Sequence, residues 1–413
     1  MTHHRLSPFR LAASLLALTA ALAGCGGGTE KAAAPAPAPA PTAPIGLNFV
    51  QPANNVLEPS ASEPLSVNLS VNGSPAPNGT VATFAVNLSA VATLAPVAPT
   101  TLSGVAKTTL TVSSLPPAAT FQVTATATSS ANTASDQLTY YVRPAHKKLQ
   151  VLVPAYFSAS GASSPWASLT SGANSYPDVQ ITAITNPGNG VLTSASTADA
   201  ALGTAITAFK AVPGTGNKVI AYVATGSGSS GALSVTDVKA TIDNYVRLYP
   251  NQLDGFFLDG MAADSARLAY FQDIFNHIKA ITSGMSPGAS PPLAPTVIGN
   301  PGTYPVPAYA GVADTLVTYA GNAAAYQGMD PQPASTWVYA RDNSAQAMLV
   351  HTASTCTDMK AAVENAHRPR MNTGLVYVTN LSIGAPWSAL PSYWLQLLGT
   401  VDALNKQRSL PLC

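Results

Sequence analysis

The chain has 413 residues, more than one ordinary core accommodates, which predicts two folded domains plus tails. Charged residues make up only 9% and the formal net charge is +1, so no basic field exists to hold a phosphate backbone and nucleic acid is excluded as an expected partner. The rest is rich in Ala, Thr, Ser, Gly and Pro, a surface kept in solution by hydroxyls and amides and compatible with sugars.

Residues 1–24 read as a signal peptide. Arg5 and Arg10 open it, an apolar run extends from Leu11 to Ala23, and Leu22-Ala23-Gly24-Cys25 closes it. That run is too short for a permanent membrane span. The four residues ending in Cys25 resemble the lipobox of bacterial lipoprotein precursors, and the resemblance implies acylation of Cys25. Gly26, rather than Asp, after it implies transit to the outer membrane. A plain secretory peptide with an incidental Cys is the competing reading. The expected location is therefore secreted and lipid-anchored, at the bacterial outer membrane or cell surface, with the lipid as the sole membrane contact. Setting Cys25 aside leaves Cys356 and Cys413, an even pair in an oxidising compartment, expected as a disulfide, with two independent thiols as the alternative. Residues 25–44, the lipidated Cys and an Ala/Pro-rich linker, favour extended polyproline II over any packed fold.

From 45 to 145 the pattern becomes short runs of period two: 64–71, 80–86, 108–112, 120–127 and 137–142. Asn72-Gly73, Asn78-Gly79 and Pro116-Pro117 punctuate them. The spacing predicts an immunoglobulin-like β-sandwich, read as a spacer rather than a binding module because it gathers no His, Asp or Glu cluster.

Residues 148–413 alternate apolar strands with helical stretches. Strands are expected at 149–153, 179–184, 218–223, 255–258, 296–298, 315–318, either 336–339 or 347–350, and 374–378. Helices are expected at 235–249, 264–281, 356–366 and 391–407. About eight βα repeats predict a TIM-type (β/α)8 barrel, irregular after its sixth strand. Reactive side chains of such a barrel stand at the C-terminal ends of its strands. Those positions hold Tyr156, Asn186, Tyr222 with Thr225, Asp259, Asn300, Tyr319, His351, and Thr379 with Asn380. Hydrogen-bonding groups and aromatic faces together suit a pyranose. The His residues are scattered, so no metal site is expected. GSGSSG at 226–231 reads as a loop rather than a phosphate cradle.

Several blocks carry a further resemblance: Pro154-Ala-Tyr156, Ile184-Thr-Asn-Pro-Gly188, Ile220-Ala-Tyr-Val-Ala-Thr225, Val238-Lys-Ala-Thr-Ile-Asp-Asn-Tyr245, Leu253-Asp-Gly-Phe-Phe-Leu-Asp259, Asn300-Pro-Gly302 and Ala313-Asp-Thr-Leu-Val317. In this order they resemble the spherulin 4 family over nearly all of 149–413. The resemblance implies a (β/α)8 barrel related to glycoside hydrolases that cut galactosamine-containing exopolysaccharides. The family pattern ends its fourth strand in Asp-Glu and places another Glu after its sixth. Here Asp259 keeps the Asp, but Gly260 and Ala320 stand where the two Glu are expected.

Glycosidic cleavage normally takes two carboxyl groups. The barrel region has a single Glu, Glu364, within a predicted helix, so the second acid is expected to be an Asp. Asp264 and Asp330 are candidates. Asp342 is preferred because it directly follows a predicted strand, a solvated loop residue being its plainer reading. The expected catalytic pair is thus Asp259 and Asp342. The expected substrate contacts are Tyr156, Asn186, Tyr222, Asn300, Tyr319 and His351. The expected function is that of a surface-tethered glycosidase hydrolysing an amino-sugar-containing exopolysaccharide; the alternatives are a degenerate barrel that binds polysaccharide without cleaving it, favoured by the loss of both family Glu positions, and a structural surface protein. No cofactor is expected, since two-carboxylate hydrolysis needs none, and with no heptad seam a monomer is expected.

Overall fold

The computed structural model describes residues 44–115, 118–129, 132–161, 164–214, 216–226, 233–286 and 294–413. The expected signal peptide, Cys25 and nearly all of the Ala/Pro-rich linker lie outside the described residues.

The N-terminal part consists of two sheets over one core. Its strands are β1 (Ile45–Phe49), β2 (Val56–Leu57), β3 (Ser62–Val71), β4 (Ser74–Pro75), β5 (Thr83–Val86), β6 (Ala92–Ala95), β7 (Val105–Val112), β8 (Ala119–Ser129) and β9 (Asn132–Val142). One sheet runs β1-β3-β7-β6 with β4 paired to β3, and the other runs β2-β9-β8-β5. Period two is the cause. In β7, Ala106, Thr108, Leu110 and Val112 are buried while Lys107, Thr109 and Thr111 face solvent. Phe49 of one sheet meets Phe84 of the other at 6.0 Å between ring centroids. Asn72 and Gly73 join β3 to β4 with positive φ at both positions (53° and 74°), the twist a two-residue hairpin needs.

The C-terminal part is a closed barrel of eight parallel strands: β10 (Gln150–Ala155), β11 (Ile181–Thr185), β12 (Lys218–Ala224), β13 (Gly255–Asp259), β14 (Thr296–Asn300), β15 (Thr315–Asn322), β16 (Gln346–His351) and β17 (Leu375–Val378). Around it lie α1 (Pro165–Ser175), α2 (Ala200–Lys210), α3 (Val235–Leu248), α4 (Leu268–Lys279), α5 (Ala323–Tyr326), α6 (Cys356–His367) and α7 (Trp394–Asn405). Every residue of β11 and of β16 is buried, as in a sheet covered on both faces. The link from β14 to β15 carries only a 3-10 turn, and α5 is a single turn, so the helical ring is thinnest where the sequence is irregular. Of the two expected positions for the seventh strand, 346–351 is the strand and 336–340 is a 3-10 turn. Val338 and Tyr339 are buried against Val56 and Tyr141 of the two-sheet part rather than in the barrel wall.

That contact also joins the two parts. Arg143, 3% exposed, donates to Glu58 at 2.6 Å and to Asn372 at 3.1 Å, while the Tyr141 and Tyr339 rings lie 5.1 Å apart. Tyr339 and Asn372 precede β16 and β17, so the seam lies at the N-terminal ends of the barrel strands and leaves the opposite mouth clear of the two-sheet part. Cys356, opening α6, is disulfide-bonded to Cys413 and fastens the C-terminal tail, with Cα atoms 5.6 Å apart.

Candidate functional site

Asp259 ends β13, and the register pairs it with Ala224 of β12 on one side and Asn300 of β14 on the other. Side chains directly across a parallel pair share a face, and so do those two apart along a strand. Tyr222, Phe257 and Ile298 therefore line the same wall one layer deeper, and the Tyr222 ring stacks on Phe257 at 6.1 Å. From there the Tyr222 hydroxyl donates to Asp259 Oδ2 at 2.6 Å, and Asn300 Nδ2 donates to Oδ1 at 2.6 Å. The Thr225 hydroxyl donates to the Asp259 carbonyl at 2.6 Å and fixes the strand end. Tyr156, after β10, meets the Tyr222 ring edge-on at 5.3 Å. Burial first, and then the charge of Asp259, push the Tyr156 and Tyr222 hydroxyls above the ordinary phenol range, so Tyr222 remains a proton donor to the carboxylate.

Both carboxylate oxygens of Asp259 are held by neutral side chains, and this sets it apart. Asp178 and Asp402 share Lys406, Asp243 meets His277, Asp254 meets Lys210, Asp273 meets Lys239, and Asp314 meets Lys279. Asp330 is held by Arg370 and Asp342 by Lys147. Asp199, Asp237, Asp264 and Asp358 serve in helix-end caps. Glu364 lines a cavity of about 530 Å³ at the seam together with Arg143, His146 and His367. No Asp or Glu falls among the undescribed residues of 148–413, so these are all of its acids.

Two expected site residues are elsewhere. Asp342 lies before β16, at the closed end of the barrel, where it caps the turn 343–345 and pairs with Lys147 at 2.9 Å. Burial pushes its carboxyl up, but the Ser344 hydroxyl, Lys147 and the Ser344 amide together hold it below the usual range, as expected of a structural ion pair. Tyr319 faces outward, because a bulge between Val317 and Tyr319 shifts the register of β15 by one residue. Its ring packs on Tyr326 of α5 at 5.0 Å and its hydroxyl donates to the Asn322 carbonyl.

The remaining expected residues stand on the mouth side. Asn186 opens the turn 187–190 after β11, and its buried Oδ1 has no hydrogen-bond partner. Gly190, with φ of 71°, lets that turn close over Tyr222: a Cβ there would sit 2.4 Å from the ring. His351 ends β16, its ring 6.2 Å from that of Trp387. Trp387 was not anticipated. The available signal was its place in the loop after the last strand, on the face where barrels gather function. Thr379 accepts from Leu381 N, and Asn380 Oδ1 accepts from Ser392 N, so both brace that loop. The two positions at which the family pattern has Glu also belong here. Gly260 follows Asp259 directly with φ of 71°, and Ala320, exposed and paired in register with Leu349, donates its N–H to the Gly302 carbonyl at 3.1 Å. Among the described residues no three His, Cys, Asp or Glu side chains gather as a metal site.

Comparisons with known proteins cover the barrel residues. The family model described as Spherulation-specific family 4 matches residues 150–401. Spherulin-4 of Physarum polycephalum is 30% identical over 266 residues, covering 62% of this chain and 71% of that protein. Among solved structures, Aspergillus clavatus Sph3 in complex with GalNAc is similar over 62% of this chain and 98% of its own, with 20% identity and a TM-score of 0.49. A family 123 glycoside hydrolase from Clostridium perfringens is similar over 88% of this chain and 87% of its own, with 7% identity and a TM-score of 0.34.

Proposed function

We propose, on the premise that the chain belongs to spherulation-specific family 4, that its barrel holds an amino-sugar-containing exopolysaccharide at the Asp259 mouth without cleaving it. One observation carries this reading: Asp259 ends a barrel strand with both carboxylate oxygens held by neutral side chains of the neighbouring strands, while the other acids of the barrel are tied to cations, helix-end caps or the seam. Cleavage in most glycosidase families takes a second carboxyl group within about 10 Å of the first. A carboxylate flanked by tyrosine and asparagine accepts hydrogen bonds from sugar hydroxyls or from an amine, and the nearby aromatic faces suit the C–H face of a pyranose. Family membership supports the substrate class through the relation that the resemblance implies.

Hydrolysis of the same polymer is the second reading. Asp259 favours it by standing at a strand end on the face where barrel enzymes carry their chemistry. A substrate-assisted route, with the sugar's own acetamido group in the nucleophile's place, removes the need for a protein nucleophile.

The two-sheet part is read as an immunoglobulin-like spacer, supported by its strand alternation and its attachment at the closed end of the barrel. The sequence at Leu22–Cys25 supports a lipid anchor on Cys25 and hence a place at the cell surface.

Affinity electrophoresis in gels cast with a galactosamine-containing exopolysaccharide tests the proposal. The full chain is retarded and Asp259→Asn is not. Equal mobility of the two proteins, with or without polymer, contradicts it.

A further inference from the structure

The inward faces of β16 and β17 follow from the register. Gln150 pairs with Leu375, Leu375 with Ala347, and Tyr377 with Leu349. Leu152 pairs with Thr182 and Pro154 with Ile184, in step with Tyr156 and so with the Asp259 wall. Stepping by twos then places Tyr377 and His351 on the interior side, three strand positions from Asp259. Trp387 lies over both, its ring 5.9 Å from Tyr377 and 6.2 Å from His351, and it is half-buried. The loop that carries it is fixed at its root: Leu381 N donates to Thr379 Oγ1, Thr352 N to the Leu381 carbonyl, and Ser392 N to Asn380 Oδ1. Burial lowers the pKa of His351, so its imidazole is neutral near pH 7. Its Nδ1 meets Thr352 Oγ1 at 2.8 Å, which leaves Nε2 for another partner.

We propose that Trp387 and His351 form a second sugar subsite on the far wall of the mouth, where the indole stacks on a pyranose and the imidazole bonds one of its hydroxyls. The inference rests on the polysaccharide reading of Asp259 and adds a requirement for ligand length. Three strand spacings separate β13 from β16, roughly 14 Å along the wall, which is longer than one pyranose. A monosaccharide therefore reaches only one subsite, and an oligomer that spans both gains affinity by linking two contacts in one chain. The aromatic surface supplies apolar contact to a ring face, and the neutral imidazole both donates and accepts.

Binding of N-acetylgalactosamine and of its homo-oligomers of two to six units to the full chain tests this, read by calorimetry and by tryptophan fluorescence. The chain has four tryptophans; Trp166 and Trp394 are buried, and Trp337 lies near the seam, so a ligand-induced change at the mouth reports on Trp387. Affinity rises with length in the wild type. Trp387→Ala weakens the longest oligomer about tenfold and abolishes the length dependence, while Trp387→Phe, which keeps an aromatic face and guards against misfolding, restores most of it. Affinity that depends on Asp259 but is unchanged in Trp387→Ala overturns the subsite and leaves the polysaccharide reading standing. Absence of binding by every oligomer and by polymer overturns both.

Discussion

The Tyr222 hydroxyl donates to Asp259 Oδ2 across 2.6 Å from a ring clamped on Phe257, so the carboxylate is oriented by a neutral, half-buried donor rather than by a cation. Tyr222→Phe keeps the stacking and removes only the donor. Hydrogen bonds to charged groups contribute about 1.5–3 kcal/mol, so denaturant unfolding of this variant shows a loss of that order, accompanied by weaker polymer retention.

The turn that covers Tyr222 depends on Gly190. An added Cβ would meet the ring at 2.4 Å and Ala224 N at 2.7 Å, and φ of 71° is itself unfavourable for an L side chain. Gly190→Ala is predicted to cost about 1–3 kcal/mol and to shift the tyrosine near-ultraviolet circular dichroism, since Tyr222 must move. An unchanged spectrum and melting temperature refute the close fit.

The seam between the two parts carries a pH dependence. Burial first, then Arg143 and His367, lower His146 from the ordinary 6.5 to about 4, with Glu58 opposing; His367 is lowered for similar reasons. A histidine kept neutral in the folded chain stabilises it above the unfolded value, and that contribution is lost as pH falls from about 6.5 towards 4. The melting temperature is predicted to decline through this window, and His146→Gln to flatten the decline. A wild-type curve already flat from pH 7 to 4 rejects this role.

Ala320 and Gly260 are where acids would complete the family pattern. Ala320 is exposed at the end of β15, and Ala320→Glu is predicted to change stability by less than about 0.5 kcal/mol. At Gly260 an added Cβ meets only ordinary contacts, the nearest at 3.5 Å, but Gly260→Glu forces a side chain into φ of 71° and is predicted to cost roughly 1 kcal/mol. Reducing-end release that appears in the double variant, and in neither single one, identifies the missing acids as what separates this barrel from a hydrolase. Failure of the double variant to release sugar while still binding it places the defect elsewhere.

Much of this architecture is written in local pattern. The acid ending Phe256-Phe257-Leu258-Asp259 is legible because a charge closing a fully buried strand has few other uses, and the expected strands fall on observed ones. Tyr319 was misplaced because strand parity assumes an unbroken ladder, and the bulge before it leaves no mark in the composition. Asp342 was misplaced because Thr336–Tyr339 reads as a strand, whereas Val338 and Tyr339 answer to Val56 and Tyr141 across the seam, a partner nearly 200 residues away from Tyr339 in the case of Tyr141. Trp387 lies in a loop, where no periodicity points to its neighbours.

The most direct measurement is reducing-end release, together with binding, on one galactosamine-containing exopolysaccharide, using the wild-type chain beside Asp259→Asn. The account predicts that the wild type binds the polymer and releases no new reducing ends, and that the substitution abolishes binding. Release by the wild type that vanishes in Asp259→Asn would contradict it and establish a hydrolase working from this single carboxylate.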